Sequence, residues 1–352
     1  MLGSILLTVV LGLVSTVSAQ CGSGTADVTV TGSGTFTVKK GSSTVYTGSD
    51  YLAAVNAGIT NTASGQRLVV SSSGSIGAST IAIKSGITFE GCGTINTSLR
   101  SGRGAIEILN TSGVKIPYLS VSGNPYFAVR VYGSKDLTFG VVTMNLSGGI
   151  GIRFDRDQAA NSNVKFDTVS VTGAGSHGIE TWNIAGFSIN KFTGRNLGEC
   201  GLLVQATTNA KIGTVDCNNC GAGTGYAALR FANQNGKVNG GYSTNVYVDK
   251  LISRGGGRGF FCVSESGGAE IKSVDISGAG SNSILIENCY GVRILGGTVK
   301  GGGEVRISAR TEFANTRDIN ITLKVDDTTV RESPCGDNTT WNISGNAKTT
   351  LC

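Results

Sequence analysis

From residue 105 onward, short runs of alternating apolar and polar residues recur along the chain. They open at AIEIL (105), AVRVY (128), IRFD (152), IETW (179), LLVQ (202), ALRF (228), FFCV (260), ILIE (284) and EVRI (304). Each opening is followed by a second run of similar character, among them GVKIPYLSVSG, DLTFGVVTMNLSG, NVKFDTVSVTG and GVRILGGTVKG. Successive openings lie 23, 24, 27, 23, 26, 32, 24 and 20 residues apart. Gly, Asn and Ser interrupt the Val/Ile runs, so the predicted strands are three to five residues long. Strands this short, with no hairpin turns or helical periods between them, cannot build a sandwich or a βαβ sheet. A coil of about 23–25 residues carrying three short strands predicts a parallel β-helix. Its coils would stack at about 4.8 Å around a continuous core of inward Val, Ile and Phe. The crossover sense should be right-handed.

An open β-helix end would pair with other chains unless covered. Ser49-Asp50 before YLAAVNAGI reads as an N-cap and a short amphipathic helix of about two turns, within a capping segment 45–65. RLVV (67–70) and TIAIKSGITFEGCG (80–93) would be the earliest turns. The predicted architecture is all-β, a single-stranded right-handed parallel β-helix over 20–327 with a short N-terminal capping helix. Residues 328–352 show no strand pattern and read as a tail, pinned over the last coil by a Cys335–Cys352 disulfide. Cys200 and Cys220 fall at equivalent turn positions one coil apart, within bridging reach in this scheme.

Composition fixes the compartment expected. Residues 2–19 are uncharged, mostly apolar and end in Val17-Ser18-Ala19, the pattern of a secretory leader over 1–19. All nine Cys follow it, so most should pair and at least one thiol is left over. Cys217-x-x-Cys220 reads as a structural disulfide rather than a metal knuckle or redox pair. Six N-x-[ST] sequons, at Asn96, Asn110, Asn145, Asn320, Asn338 and Asn342, fit glycosylation on a secreted chain. The expectation is a soluble, extracellular monomer. A single His makes a zinc hydrolase improbable, and 54 Gly without a three-residue period exclude collagen. The net charge of +6 is spread along the chain with no nucleic-acid motif.

Helical cap, coil length and strand pattern together resemble the pectin-lyase-like superfamily of secreted right-handed β-helices, over roughly residues 45–327. That group includes pectate and pectin lyases, polygalacturonases and rhamnogalacturonases. The resemblance implies a secreted enzyme that cleaves a cell-wall polysaccharide, a pectin-type polyuronate, by hydrolysis.

Chemistry in such a fold lies on outward side chains, because stacking sets equivalent residues in rows. The first outward row reads Glu107, Arg130, Arg153, Glu180, Leu203, Arg230 and later Arg306; the second reads Leu109, Tyr132, Asp155, Trp182, Gln205, Ala232 and later Glu287. IRFDRDQ (152–158) and SHGIETW (176–182) gather Arg153, Asp155, Asp157, His177, Glu180 and Trp182 on neighbouring coils. Carboxylates one or two coils apart suit glycoside hydrolysis, with Asp157 or Asp155 as general acid and its neighbour as base. His177 and Glu180 would position them. Arg130, Arg153 and Arg230 would bind uronate, and Tyr132 and Trp182 would carry the sugar face. Asp155-Arg156-Asp157 followed by Ser176-His177-Gly178 looks like the order of the polygalacturonase motifs, with Arg156 splitting the acids and Ser176 replacing Gly. No cofactor or metal is implied, except that a lyase variant would use an arginine base and Ca²⁺ on Asp155, Asp157 and Glu180. The rival reading is a non-catalytic β-helix that binds cell-wall glycan, or a host cell-surface receptor, as an elicitor. A solvated face of paired charges is the plain alternative to any site.

Overall fold

The computed structural model describes residues 20–223 and 225–352; the leader assigned to 1–19 lies outside them. The first run of each coil supplies one strand of a twelve-stranded, all-parallel sheet that extends from Ile81–Ala82 to Lys348–Thr350. The second runs build a nineteen-stranded sheet. The chain is a right-handed parallel β-helix. Its stacking register is that of the predicted rows: Ile106 lies beside Val129, Val129 beside Ile152, and Ile152 beside Ile179. All four are fully buried, and the alternation that makes them apolar is what turns them inward.

Several second-run strands are longer than predicted, 12 to 14 residues in Lys135–Leu146, Asn161–Thr172, Ile184–Leu197 and Thr207–Cys220. They bend around a corner while keeping their pairing. Asn190 and Lys191 are consecutive exposed residues between inward Ile189 and Phe192, so the alternation slips by one at the bend. Inside, Phe139 stacks on Phe166 at 4.4 Å, and Phe187 follows one coil on at 6.1 Å. Near the start of these strands Asp136, Asn163, Gly186 and Asn209 sit at positive φ on successive coils. Only Gly, Asn and Asp enter that region cheaply. Asn163 also donates to Asp136 Oδ1 at 2.9 Å, which ties adjacent turns together.

The N-terminal end is closed by more than a helix. Strands Val28–Ser33, Thr35–Lys40 and Ser43–Gly48 form an antiparallel meander whose first strand pairs in parallel with Arg67–Val70. The helix Tyr51–Asn61 is about a turn longer than predicted, and Asp50 caps it by accepting from the Ala53 N–H at 3.0 Å. Tyr51, Ala54, Val55, Gly58 and Ile59 are its buried residues and belong to the main core.

Three expectations need correction. Residues 328–352 are not a strandless tail: Thr329–Glu332, Asp337–Ser344 and Lys348–Thr350 continue both sheets in parallel register. Their run TTWNIS has only Trp341 and Ile343 facing the core, too thin an apolar pattern to read from sequence. Cys220 bonds neither Cys200 nor Cys217, so the Cys217-x-x-Cys220 disulfide is not formed either. The disulfides are Cys21–Cys92, Cys262–Cys289 and Cys335–Cys352, and Cys200, Cys217 and Cys220 are free and buried. Cys200 packs in a small outer cluster with Leu203 and Ala227, whereas Cys220 packs in the main core beside Cys217. The coil wall separates those two environments. Among the described residues, no helix is long and apolar enough to cross a membrane. All six sequon asparagines are exposed.

Candidate functional site

The outer face of the twelve-stranded sheet carries one continuous row: Glu107, Arg130, Arg153, Glu180, Leu203, Arg230, Phe261, Leu285, Arg306 and Arg331. Its first four members, with Asp155, form an alternating chain of charge. Arg103 and Arg130 reach Glu107 at 2.6 and 3.6 Å, and Arg130 holds Asp155 at 2.7 Å. Arg153 then bridges Asp155 at 3.4 Å and Glu180. Glu180 is buried and also accepts from Trp182 Nε1 at 3.0 Å and Gln205 Nε2 at 2.9 Å. The desolvation of these carboxylates is thereby offset by guanidinium partners.

That arrangement changes the roles open to the predicted residues. Asp155 and Glu180 meet, through Arg153, but both are clamped by arginine; a general acid must instead carry a proton and face the ligand. Asp157 does not join them. Its side chain is 80% exposed and pairs only with Arg156, at 3.2 Å. Asp155, Asp157 and Glu180 therefore do not converge into a cation cage. Arg130 lies over the Tyr132 ring at 5.4 Å, and Arg156 over the buried Trp182 at 5.5 Å, so cations already cover both aromatic faces.

The unclamped chemistry lies on the rim of the same sheet. Backbone hydrogen bonds set Tyr126, Gly149, Ser176, Glu199 and Tyr226 in one row across five coils, with Phe127, Ile150, His177, Cys200 and Ala227 behind them. Four strand spacings make the row roughly 19 Å long. A cleft of about 330 Å³ opens along its first half, between exposed Leu99 and Tyr126 on one side and Ser176 on the other, with Arg153 in its lining. Gly149 keeps it open, because a Cβ there would lie 1.9 Å from the Pro125 carbonyl oxygen, and its φ is +65°.

Glu199 is the focus of this rim. It accepts from the Ser176 and Tyr226 hydroxyls, and His177 Nε2 lies 3.1 Å from its carboxylate. No lysine or arginine among the described residues pairs with it, and its side chain stays 28% exposed. His177 Nδ1 accepts the Cys200 N–H at 3.0 Å, so the proton of the neutral ring sits on Nε2, 3.1 Å from Glu199. Burial holds the imidazole below its usual range, against the opposing pull of Glu180 and Glu199. The hydrogen bond to Glu199 pushes the Tyr226 phenol up and keeps it a donor. Its ring meets that of His177 edge-on at 5.8 Å.

Beyond Tyr226 the face turns cationic. Arg230 and Arg258 lie over the Phe261 ring at 5.0 and 4.7 Å. Neither pairs with a carboxylate among the described residues, and Arg230 Nε and Arg258 Nη1 are buried without a hydrogen-bond partner. Burial and the charge of Arg230 lower the Arg258 pKa. Two half-buried guanidiniums side by side without a counter-ion form a site that favours an anion. Sequence reasoning found Arg230 and His177 but missed Glu199, Ser176, Tyr226 and Arg258. Glu199-Cys200-Gly201 does sit one coil after Ser176-His177-Gly178 in the same turn, and that spacing was the available signal.

No family model and no curated protein matches the sequence. Among solved structures, the A-module of a mannuronan C-5 epimerase from Azotobacter vinelandii superposes with a TM-score of 0.55 at 14% identity, covering 86% of this chain and 96% of that one. The fold is that of the pectin-lyase-like β-helices. At that identity the likeness carries over as architecture, and the residues of this chain must supply any chemistry.

Proposed function

We propose that the chain is a secreted protein that acts on an acidic extracellular polysaccharide, with Glu199 as the proton-transfer group. The observation that carries this is Glu199 itself, a partly exposed carboxylate held by two neutral hydroxyls, with His177 Nε2 3.1 Å away, at the rim of an open cleft. Hydrolysis ordinarily needs two carboxyls flanking the bond, and Asp155 and Glu180 are both engaged by arginine. Proton abstraction next to a uronate carboxylate needs one base and a cationic sink for the developing charge. Glu199 would take the C5 proton, Tyr226 O–H would return one, and Arg230 with Arg258 would hold the uronate carboxylate. Exposed Tyr126 would carry a neighbouring sugar. This is β-elimination or epimerisation of a polyuronate, and the superposed epimerase acts on a polymer whose name fits that class. The three disulfides and the exposed sequons support an extracellular setting.

The test is incubation with polygalacturonate, alginate and neutral glucans in D₂O. Deuterium at C5 or unsaturated ends, lowered about 10²- to 10⁴-fold in Glu199→Gln, supports the assignment. Reducing ends with neither deuterium at C5 nor unsaturated ends mean hydrolysis and overturn it. Inertness on every polymer favours the binding or elicitor reading, which the self-neutralised chain from Glu107 to Glu180 also fits.

A further inference from the structure

A second groove lies on the outer face of the nineteen-stranded sheet, away from the Glu199 rim. It holds about 450 Å³ around Ser188, Asn190, Lys211, Gly213, Tyr247 and Asp249. A smaller hollow of about 190 Å³ continues it toward Lys165 and shares Ser188 and Lys211. Gly213 forms the floor, where a Cβ would lie 2.2 Å from the Asn190 carbonyl oxygen. Pairing sets Lys115, Thr138, Lys165, Ser188, Lys211 and Tyr247 in a single row. The lysines therefore recur on alternate coils, roughly 9.6 Å apart. None of the three forms an ion pair among the described residues, where the salt bridges of the molecule are almost all made by arginine. The acids nearby are Asp249, Asp167, which already accepts from Asn190 at 2.9 Å, and Glu270, which follows Tyr247 in the row and is paired with Arg293 at 2.6 Å. Tyr247 is 42% exposed, and its hydroxyl donates to the Thr244 carbonyl at 3.3 Å, which fixes the ring at the end of the row.

We propose that this groove is a second, non-catalytic binding site for an anionic polysaccharide. An extended polyuronate turns its carboxylates to alternate sides, so those facing one surface recur every two sugars, close to two coil spacings. Lysines on alternate coils match that repeat, and each ammonium can pivot to a carboxylate as a point charge. Tyr247 offers a ring face to the sugar that follows. The parallel stack is what generates the match, because it converts a sequence spacing into a straight row of fixed pitch.

The experiment is affinity electrophoresis through gels containing polygalacturonate, alginate or a neutral glucan, with circular dichroism confirming the fold of each variant. Wild type should be retarded by the polyuronates only, and less so as salt rises. Lys165→Glu/Lys211→Glu should weaken retardation about tenfold, Tyr247→Ala should weaken it in part, and Glu199→Gln should leave it intact. Unchanged retardation in the lysine double variant, or equal retardation by neutral glucan, overturns the proposal. So does the absence of retardation in wild type. Turnover is measured separately, so an inert Glu199 rim with a lysine-dependent gel shift would reject the catalytic reading and retain this one.

Discussion

Replacing Glu180 by Gln tests whether the outer charge chain is structural. The substitution keeps the shape and lets the amide oxygen accept from Trp182 Nε1 and Gln205 Nε2, now at 3.0 and 2.9 Å. Its NH₂ must then face the Arg153 guanidinium, donor against donor. A hydrogen bond between charged partners is worth about 1.5–3 kcal/mol. The Arg153 side chain is 22% exposed and keeps Asp155 at 3.4 Å, so water and Asp155 recover part of that. The expected loss is about 2 kcal/mol. For a domain of this size that lowers the melting midpoint by roughly 3 °C, followed by circular dichroism at neutral pH. The companion Arg153→Leu should cost more, because it strips the buried Glu180 carboxylate of its guanidinium, and the pair Glu180→Leu/Arg153→Leu should be milder than the sum of its parts by about 1 kcal/mol. A shift under about 1 °C in Glu180→Gln, or strict additivity in the pair, would show that the row is merely a solvated face.

Further outcomes follow from the same geometry. His177 has its folded pKa lowered by burial, so the unfolded chain binds more protons below the ordinary imidazole range. Its contribution to stability is complete above about pH 6.5 and is lost as pH falls below that; the drop in melting midpoint from pH 7 to pH 5 should be smaller in His177→Gln. Asp157→Asn should leave turnover unchanged and stability within about 0.5 kcal/mol, since the side chain is 80% exposed, and a loss of activity would restore it to the site. Cys200, Cys217 and Cys220 are buried, and burial pushes the Cys200 thiol up to about 12. A thiol reagent at pH 8 should find no reactive cysteine in the native protein and should find them in denaturant; rapid native labelling would contradict the packing.

The local period of the chain determined most of the architecture. Which residues turn inward depends only on alternation within a run, so Ile106, Val129, Ile152 and Ile179 and their stacking were legible without a partner in view. The outward row from Glu107 to Arg230 was equally legible, because it is the other half of the same alternation. The N-terminal helix announced itself through Asp50 and the apolar positions after it. Tertiary structure decided what those rows do. Asp155 and Asp157 are two residues apart, yet one is ion-paired within the face and the other points to solvent, since the chain leaves the sheet between them. Glu199 gained its role only when three coils brought Ser176, His177 and Tyr226 around it, from turns whose spacing varies with loop length. Cys200 and Cys220 are equivalent along the coil but lie on opposite sides of its wall. Alternation is a property of consecutive residues, whereas charge neutralisation and bond partners are set by side chains a full coil or more away, across turns the sequence does not measure.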